Sequence, residues 1–215
     1  MGFKIPNGGT FEHAATYAPA LAFSIISNAA EAVATVVGAT LVVGDIVLLT
    51  SGWTELNGRV ARVKAATATA ITLEGINTTD VQVFPAGGGV GSMRKVLTWA
   101  LIPQITDVAP SGGDQNYLGV AFLEDKQGRE IPTDKSPARL ALTVADDPAQ
   151  AYVPIVQAAD SSGAVNAARL NLPGKDTIYY GACTSWSAQP VVSRGALLTR
   201  IITLALQAPI TRYLS

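Results

Sequence analysis

The side chains able to carry chemistry are few, and they stand apart in the sequence. Nucleophilic catalysis needs a base beside its nucleophile, most often a histidine. The single histidine, His13, lies in "TFEHAAT" among alternating polar neighbours. It is therefore expected at a solvent-facing strand position rather than in a catalytic site. A single cysteine, Cys183, excludes an internal disulfide framework and a zinc cluster. It is expected to be a small buried apolar residue of a strand. Metal sites need clustered ligands at matching spacing, and "ADD" and "LED" offer no more than two adjacent acids. "GGGVGS" (87–92) lacks the GK[ST] ending of a phosphate loop. The "MRKVLTWA" that follows it predicts a strand, not a helix whose N-terminus would hold phosphate. The glycine run is expected to be a flexible connector. Glu12, Glu31, Glu55, Glu74, Glu124 and Glu130 fall mostly in turns or on wet strand faces. A carboxylate pair for glycoside chemistry stays open on sequence alone. No residue is singled out as catalytic or metal-ligating, and no cofactor is implied.

Composition points to surfaces instead of sites. Charged residues are 14% of the chain, well below the usual quarter, so much of the surface is expected to face other protein. The apolar content is mostly Ala, Val, Leu and Ile, because aromatics supply only 7%. The formal net charge of −1 carries no basic excess, which argues against tight phosphate binding. "MGFKIPNGGT" has no apolar stretch after its lysine, so no signal peptide is expected. Ser24, Ser27, Asn28, Glu31 and Asp45 interrupt the longest apolar region, 14–50, and no membrane span is expected.

The elements that must build those surfaces are mainly strands. Residues 1–18 form an N-terminal arm ending in a short strand, and 19–215 are expected to be one β domain. "LAFSII" (21–26), "GDIVLLTSG" (44–52), "NGRVARVKA" (57–65) and "ATAITLEGI" (68–76) are β-branched runs bounded by turn residues, as in a small barrel or sandwich. In the last, Ile71 and Leu73 alternate with Thr72 and Glu74, giving one buried and one wet face. Residues 104–137 are rich in turn formers and charge around "YLGVAFL", which predicts a long hairpin or loop with its tip near 125–128. In "ARLALTVAD" (138–146), Leu140, Leu142 and Val144 share one face. A short helix is expected at about 147–160, capped by Asp147, with Pro148 at its first position and Gly163 beyond its end. Tyr152, Ile155, Val156 and Ala159 would share its apolar face. Three strands follow, at 165–172, 177–186 and 195–206, and then the tail "APITRYLS". The fold class is mainly β: a two-sheet sandwich or barrel with one short packed helix and a long hairpin or loop.

Apolar side chains on segments with no core of their own are the candidates for contact between subunits. They are Phe3 and Ile5 in the arm, Tyr117, Leu118, Val120 and Phe122 in the long segment, and Ile210, Tyr213 and Leu214 in the tail.

Residues 44–80, "GDIVLLTSGWTELNGRVARVKAATATAITLEGINTTD", resemble a small β-module of phage virion proteins, which runs through a GD turn, an "LNGR" bend and an "LEGINTTD" exit. The module is taken to span about 22–80. "FPAGGGVGSMRKV" and the strand–helix–strand–strand order of 138–206 extend the likeness to the major tail tube protein of long-tailed phages with non-contractile tails. The resemblance implies a β-sandwich subunit with an outer helix, in which six copies join inner strands into a ring. Stacked rings would enclose a tape-measure protein and later pass double-stranded DNA without gripping it. Tail terminator and tail-tip proteins are the implied partners, with no membrane. The implied location is the virion tail, after synthesis in the host bacterial cytoplasm. It implies no catalytic residues. A decoration or host-binding, adhesin-like virion protein is the alternative, since the "LNGR" module also occurs as an appendage.

Overall fold

In chain order the elements are β1 (Thr10–Tyr17), β2 (Leu21–Ile26), β3 (Val33–Val36), β4 (Ile46–Ser51), β5 (Val60–Ala66), β6 (Ala70–Leu73), β7 (Gly91–Ile102), β8 (Ile105–Ser111), β9 (Gln115–Val120), β10 (Arg129–Lys135), β11 (Arg139–Ala145), α1 (Val153–Ser162), β12 (Val165–Asn171), β13 (Thr177–Trp186), β14 (Thr199–Leu206) and β15 (Thr211–Tyr213). They come from a computed structural model that describes residues 7–124, 126–174 and 176–214. The fold is mainly β with one helix, as the sequence pattern predicts. No helix among the described residues is long and apolar enough to cross a membrane.

Strands pair in the order β2–β3–β6–β5–β4–β7, and β7 returns to β2. Six strands thus close on themselves, which satisfies every edge within the module. Ile71 and Leu73 point inward with Phe23, Val47, Leu49, Leu56, Val63 and Met93, all buried. The 84–92 loop is not a free connector. Trp53 Nε1 donates to Pro85 O at 2.9 Å, and the Trp53 and Phe84 rings meet edge to face at 5.2 Å. A Cβ on Gly89 would sit 2.2 Å from Ile26 Cγ2, so the glycines let this loop close the barrel end.

β7 belongs to two structures. Its first half, 91–95, pairs with β4, and its second half pairs with β1. From there the sheet runs β7–β1–β12–β13–β14–β11–β8. One face buries Phe11, Ile102, Leu140, Leu142, Val144, Tyr180, Ile202 and Leu204, with α1 contributing Val153 and Val156. The helix starts later than the capping pattern predicts. Asp147 Oδ1 accepts from Ala149 N at 3.1 Å in a turn of its own, and Pro154 occupies the first helical turn, where a missing N–H costs nothing. Gly163, at φ 59°, ends the helix. Tyr152 and Ala159 are buried, whereas Ile155 is only half-buried.

Other expectations are corrected by position. The short strand expected within residues 1–18 is β1, which lies between β7 and β12. His13 is therefore buried, not solvent-facing. Its Nδ1–H donates to Ala14 O at 2.8 Å, and Thr184 Oγ1, at 3.0 Å, donates to Nε2 of the neutral ring. Burial pushes the imidazole pKa below its ordinary value. Cys183 is half-buried, its thiol 3.5 Å from Gly163 O.

The closed barrel rests on the outer face of β1, β12 and β13. Ile46, Leu48 and Val60 of the barrel pack on Ala14, Ala167 and Tyr179. The backbones touch so closely that a Cβ on Gly181 would lie 1.7 Å from Gly58 O. β15 fastens the junction. Tyr213 Oη accepts from Arg62 N at 2.9 Å and donates to Glu74 O at 3.0 Å.

A candidate assembly surface

On the sheet's outer face the barrel packs on β1, β12 and β13. On β11 and β14 the residues between the buried ones point outward, Arg139, Ala141 and Thr143 with Ile201, Thr203 and Ala205, and register places Asp107, Ala109 and Ser111 of β8 beside them. Register aligns them in rows, such as Asp107–Thr143–Ile201 and Ala109–Ala141–Thr203. An antiparallel sheet with one wet face usually turns charged and polar side chains outward. Here the outward set is small and almost uncharged, with Asp107 and Arg139 as one acid and one base. β8 pairs only with β11 among the described residues, so its other edge is open. Asp107 and Pro110 on that strand are of the kind that blunts an edge against unregulated pairing.

The same two strands extend into the long hairpin. β8 and β11 are its base, and β9 and β10 form a separate two-stranded sheet beyond a bend. Gly112 and Gly113, at φ 71° and 83°, make the bend, and a Cβ on Gly112 would meet Pro137 O at 2.1 Å. Gly113 N→Ser136 O and Ser136 N→Asp114 O carry the ladder across it at 3.1 and 2.8 Å. Past the bend no described residue is buried. Leu118 faces Ile131 across the ladder, and both are more than half exposed, as is Tyr117. Such a ribbon has little to hold it alone in water.

Charges elsewhere are largely neutralised within the subunit. Arg62 grips Glu74, Nη2 to Oε1 at 2.6 Å, which holds the Glu74 carboxyl below its ordinary range. Lys95–Asp45, Lys64–Glu31, Arg169–Glu12, Arg200–Asp146 and Arg212–Asp176 are further ion pairs. Arg94 lies over the Tyr17 ring, 4.7 Å from its centroid. No strand presents a row of unpaired cations among the described residues. An apolar cleft of about 730 Å³ opens beside β8, lined by Phe11, Val108, Leu140, Leu170, Tyr180 and Ile210.

The contact residues expected from sequence divide between surface and core. Tyr117, Leu118 and Phe122 lie exposed on the hairpin, and Val120 is half-buried there. Ile210 and Leu214 are exposed beside β15. Tyr213 is instead inside the subunit, fixed to the barrel. Phe3 and Ile5 lie outside the described residues. The small-residue face escaped sequence reasoning, although its signal was present: Arg139, Ala141, Thr143 and Ala145 are the complement of the apolar face in "ARLALTVA". Only the pairing of β8, β11 and β14 makes that complement a surface.

A family model described as phage tail tube protein, TTP, matches residues 51–215. No curated protein matches the chain.

Proposed function

Because the chain belongs to the phage tail tube protein family, whose members are structural components of the virion, we propose that six copies form a ring and that rings stack into a conduit for genomic DNA, with the outer face of β8, β11 and β14 lining the bore. The observation that carries this reading is that face: rich in small residues and with no net charge. A conduit must let DNA slide. A basic bore would release counterions at every phosphate it met, and the affinity would add up over stacked rings. Rows such as Ala109–Ala141–Thr203 offer nothing to grip. The open edge of β8 supports ring closure by strand pairing with a neighbouring copy, which would remove the edge. The role rests on surfaces, and we assign the chain no catalytic activity.

The remaining partners follow from the tube. A tape-measure protein would fill the bore before DNA does, and terminator and tip proteins would close its ends. The exposed hairpin and tail residues, and the arm carrying Phe3 and Ile5, would be covered by neighbouring copies. Deleting residues 1–8, before β1 begins, is expected to leave a folded subunit that no longer polymerises. Normal tubes from that truncation would remove the arm from this scheme. The bore is tested by titrating assembled tubes with double-stranded DNA across a salt series. Weak binding with a shallow salt dependence is expected. Tight binding at physiological salt with a steep slope would overturn the assignment of that face.

A further inference from the structure

The core that α1 helps to cover is closed unevenly. Leu142, Val144 and Ile202 have no exposure, whereas Val108, Leu170 and Leu206, which pack against the same cluster, stay half-buried. What leaves them open is the cleft of about 730 Å³ beside β8. Register sets Val108 and Pro110 beside Leu142 and Leu140, and both line the cleft. β8 also has no strand on its other edge among the described residues. An apolar slot beneath an unpaired strand edge is the receptor geometry for one more strand. The backbone of that strand joins the edge, and its alternate side chains fill the slot.

The chain brings such a segment to the place. Asn7, Gly8 and Gly9 line the cleft, so the residues before them start from its rim. Gly8, at φ 90°, lets the chain turn there. Residues 1–6, which lie outside the described residues, would span about 20 Å if extended, close to the length of a seven-residue strand such as β8. Their sequence, "MGFKIP", suits the slot. Phe3 and Ile5 are two apart, so an extended backbone turns both to one side and Lys4 to the other. Pro6 biases Ile5 away from helical conformations and toward the extended range. With Phe3 and Ile5 in the cleft, Lys4 would emerge on the outer face, where β8 presents the exposed Asp107.

We infer that in the free subunit residues 1–6 lie along the open edge of β8 as an added strand, with Phe3 and Ile5 filling the cleft. The arm then caps the edge that ring closure needs, and a lone subunit cannot pair through β8. Only the consequence rests on the ring reading above: in the ring a neighbouring copy takes the β8 edge, and the displaced arm is released to the neighbour contacts proposed for it. The tethered arm wins the edge at low concentration, because its attachment keeps its effective concentration high. Copies held at a growing ring match that advantage. Truncating the arm would remove both the cap and the tube contact, so the informative variant is one that locks the arm in place.

The test uses the full chain in a Cys183→Ser background, with Ile5→Cys and Val108→Cys together. Mild oxidation of the dilute monomer is expected to give an intrachain disulfide, located by peptide mapping. Ile5→Cys with Leu170→Cys, which places the second thiol elsewhere on the cleft wall, covers a shifted register. Ile5→Cys with Val81→Cys, on a barrel loop, is expected to give none. Oxidised 5–108 subunits are expected to form no tubes under the electron microscope until the disulfide is reduced. No bond from residue 5 to either cleft position, a 5–81 bond formed as readily, or locked subunits that polymerise without reduction would overturn the inference. Reduced subunits that form no tubes, while the 5–108 bond still forms in the monomer, would overturn the tube reading and leave the seat of the arm standing.

Discussion

The closed barrel and the long hairpin are both made of antiparallel strands, yet they handle their edges and side chains in opposite ways. The barrel ends every edge on another of its own strands and buries Phe23, Leu49, Leu56, Ile71 and Leu73. The hairpin beyond Gly112 buries none of its described residues and turns Tyr117, Leu118 and Ile131 to water. Inward-facing hydrophobes stabilise the subunit. Outward-facing ones at this density are expected to stabilise an assembly, because the lone subunit gains nothing from them. Stability and assembly should therefore respond to different substitutions.

The largest expected effect on the subunit is at the barrel and its seat. Leu56→Ala should cost about 2–5 kcal/mol in denaturant unfolding, as cavity-forming changes in packed cores do. Gly181→Ala should cost at least about 3 kcal/mol, since its Cβ would collide with the Gly58 carbonyl oxygen and force barrel and sheet apart. If either unfolds like the parent, the barrel is not the rigid part of the molecule.

A smaller, pH-dependent effect is expected from His13. Its folded-state pKa is lowered by burial, so below about 6.5 the unfolded chain takes up a proton that the folded chain refuses. Stability should fall as pH drops through that window, by up to about 1.4 kcal/mol per pH unit until the folded pKa is reached. Thermal melts of His13→Gln should be flatter there. Glu74 acts in a more acidic window. Its folded pKa is depressed by Arg62, so its contribution is present above the ordinary carboxylate pKa and is lost as pH falls toward the lowered value. Identical pH profiles for the parent and His13→Gln would mean that the ring is not held neutral.

The smallest effect on stability, and the sharpest test of the contrast, is in the hairpin. Leu118→Ser with Ile131→Ser should move unfolding by less than about 0.5 kcal/mol, while polymerisation is lost. Hydrogen exchange should show residues 115–135 unprotected in the free subunit and protected in tubes. Equal protection in both states would place the hairpin's order within the subunit.

Legibility in sequence followed the same division. Where a strand's two faces differ strongly, as in "ATAITLEG" or "ARLALTVA", alternation alone announces strand and buried face. The hairpin was legible from its turn formers, with its tip near the expected position. What stayed hidden depends on pairing over long separations. His13 sits among polar neighbours, but β1 is flanked by β7 and β12, so its face is roofed by α1 and Thr184. Tyr213 sits in a short terminal strand whose docking on β13 and Arg62 no local pattern announces. Pro148 looks like a helix start, yet Asp147 spends its carboxylate on a separate turn and leaves Pro154 to begin the helix. The small-residue face emerged only once β8, β11 and β14 stood side by side.

The central claim is that the chain builds a tube whose bore is the bare face of its sheet. Electron cryomicroscopy of tubes assembled from the purified protein tests it most directly. The expected result is a hollow tube with Ala141 and Thr203 facing the lumen, the closed barrel away from it, and the hairpin buried between rings. Discrete monomers or trimers, or a tube whose lumen is lined by the barrel instead, would contradict it.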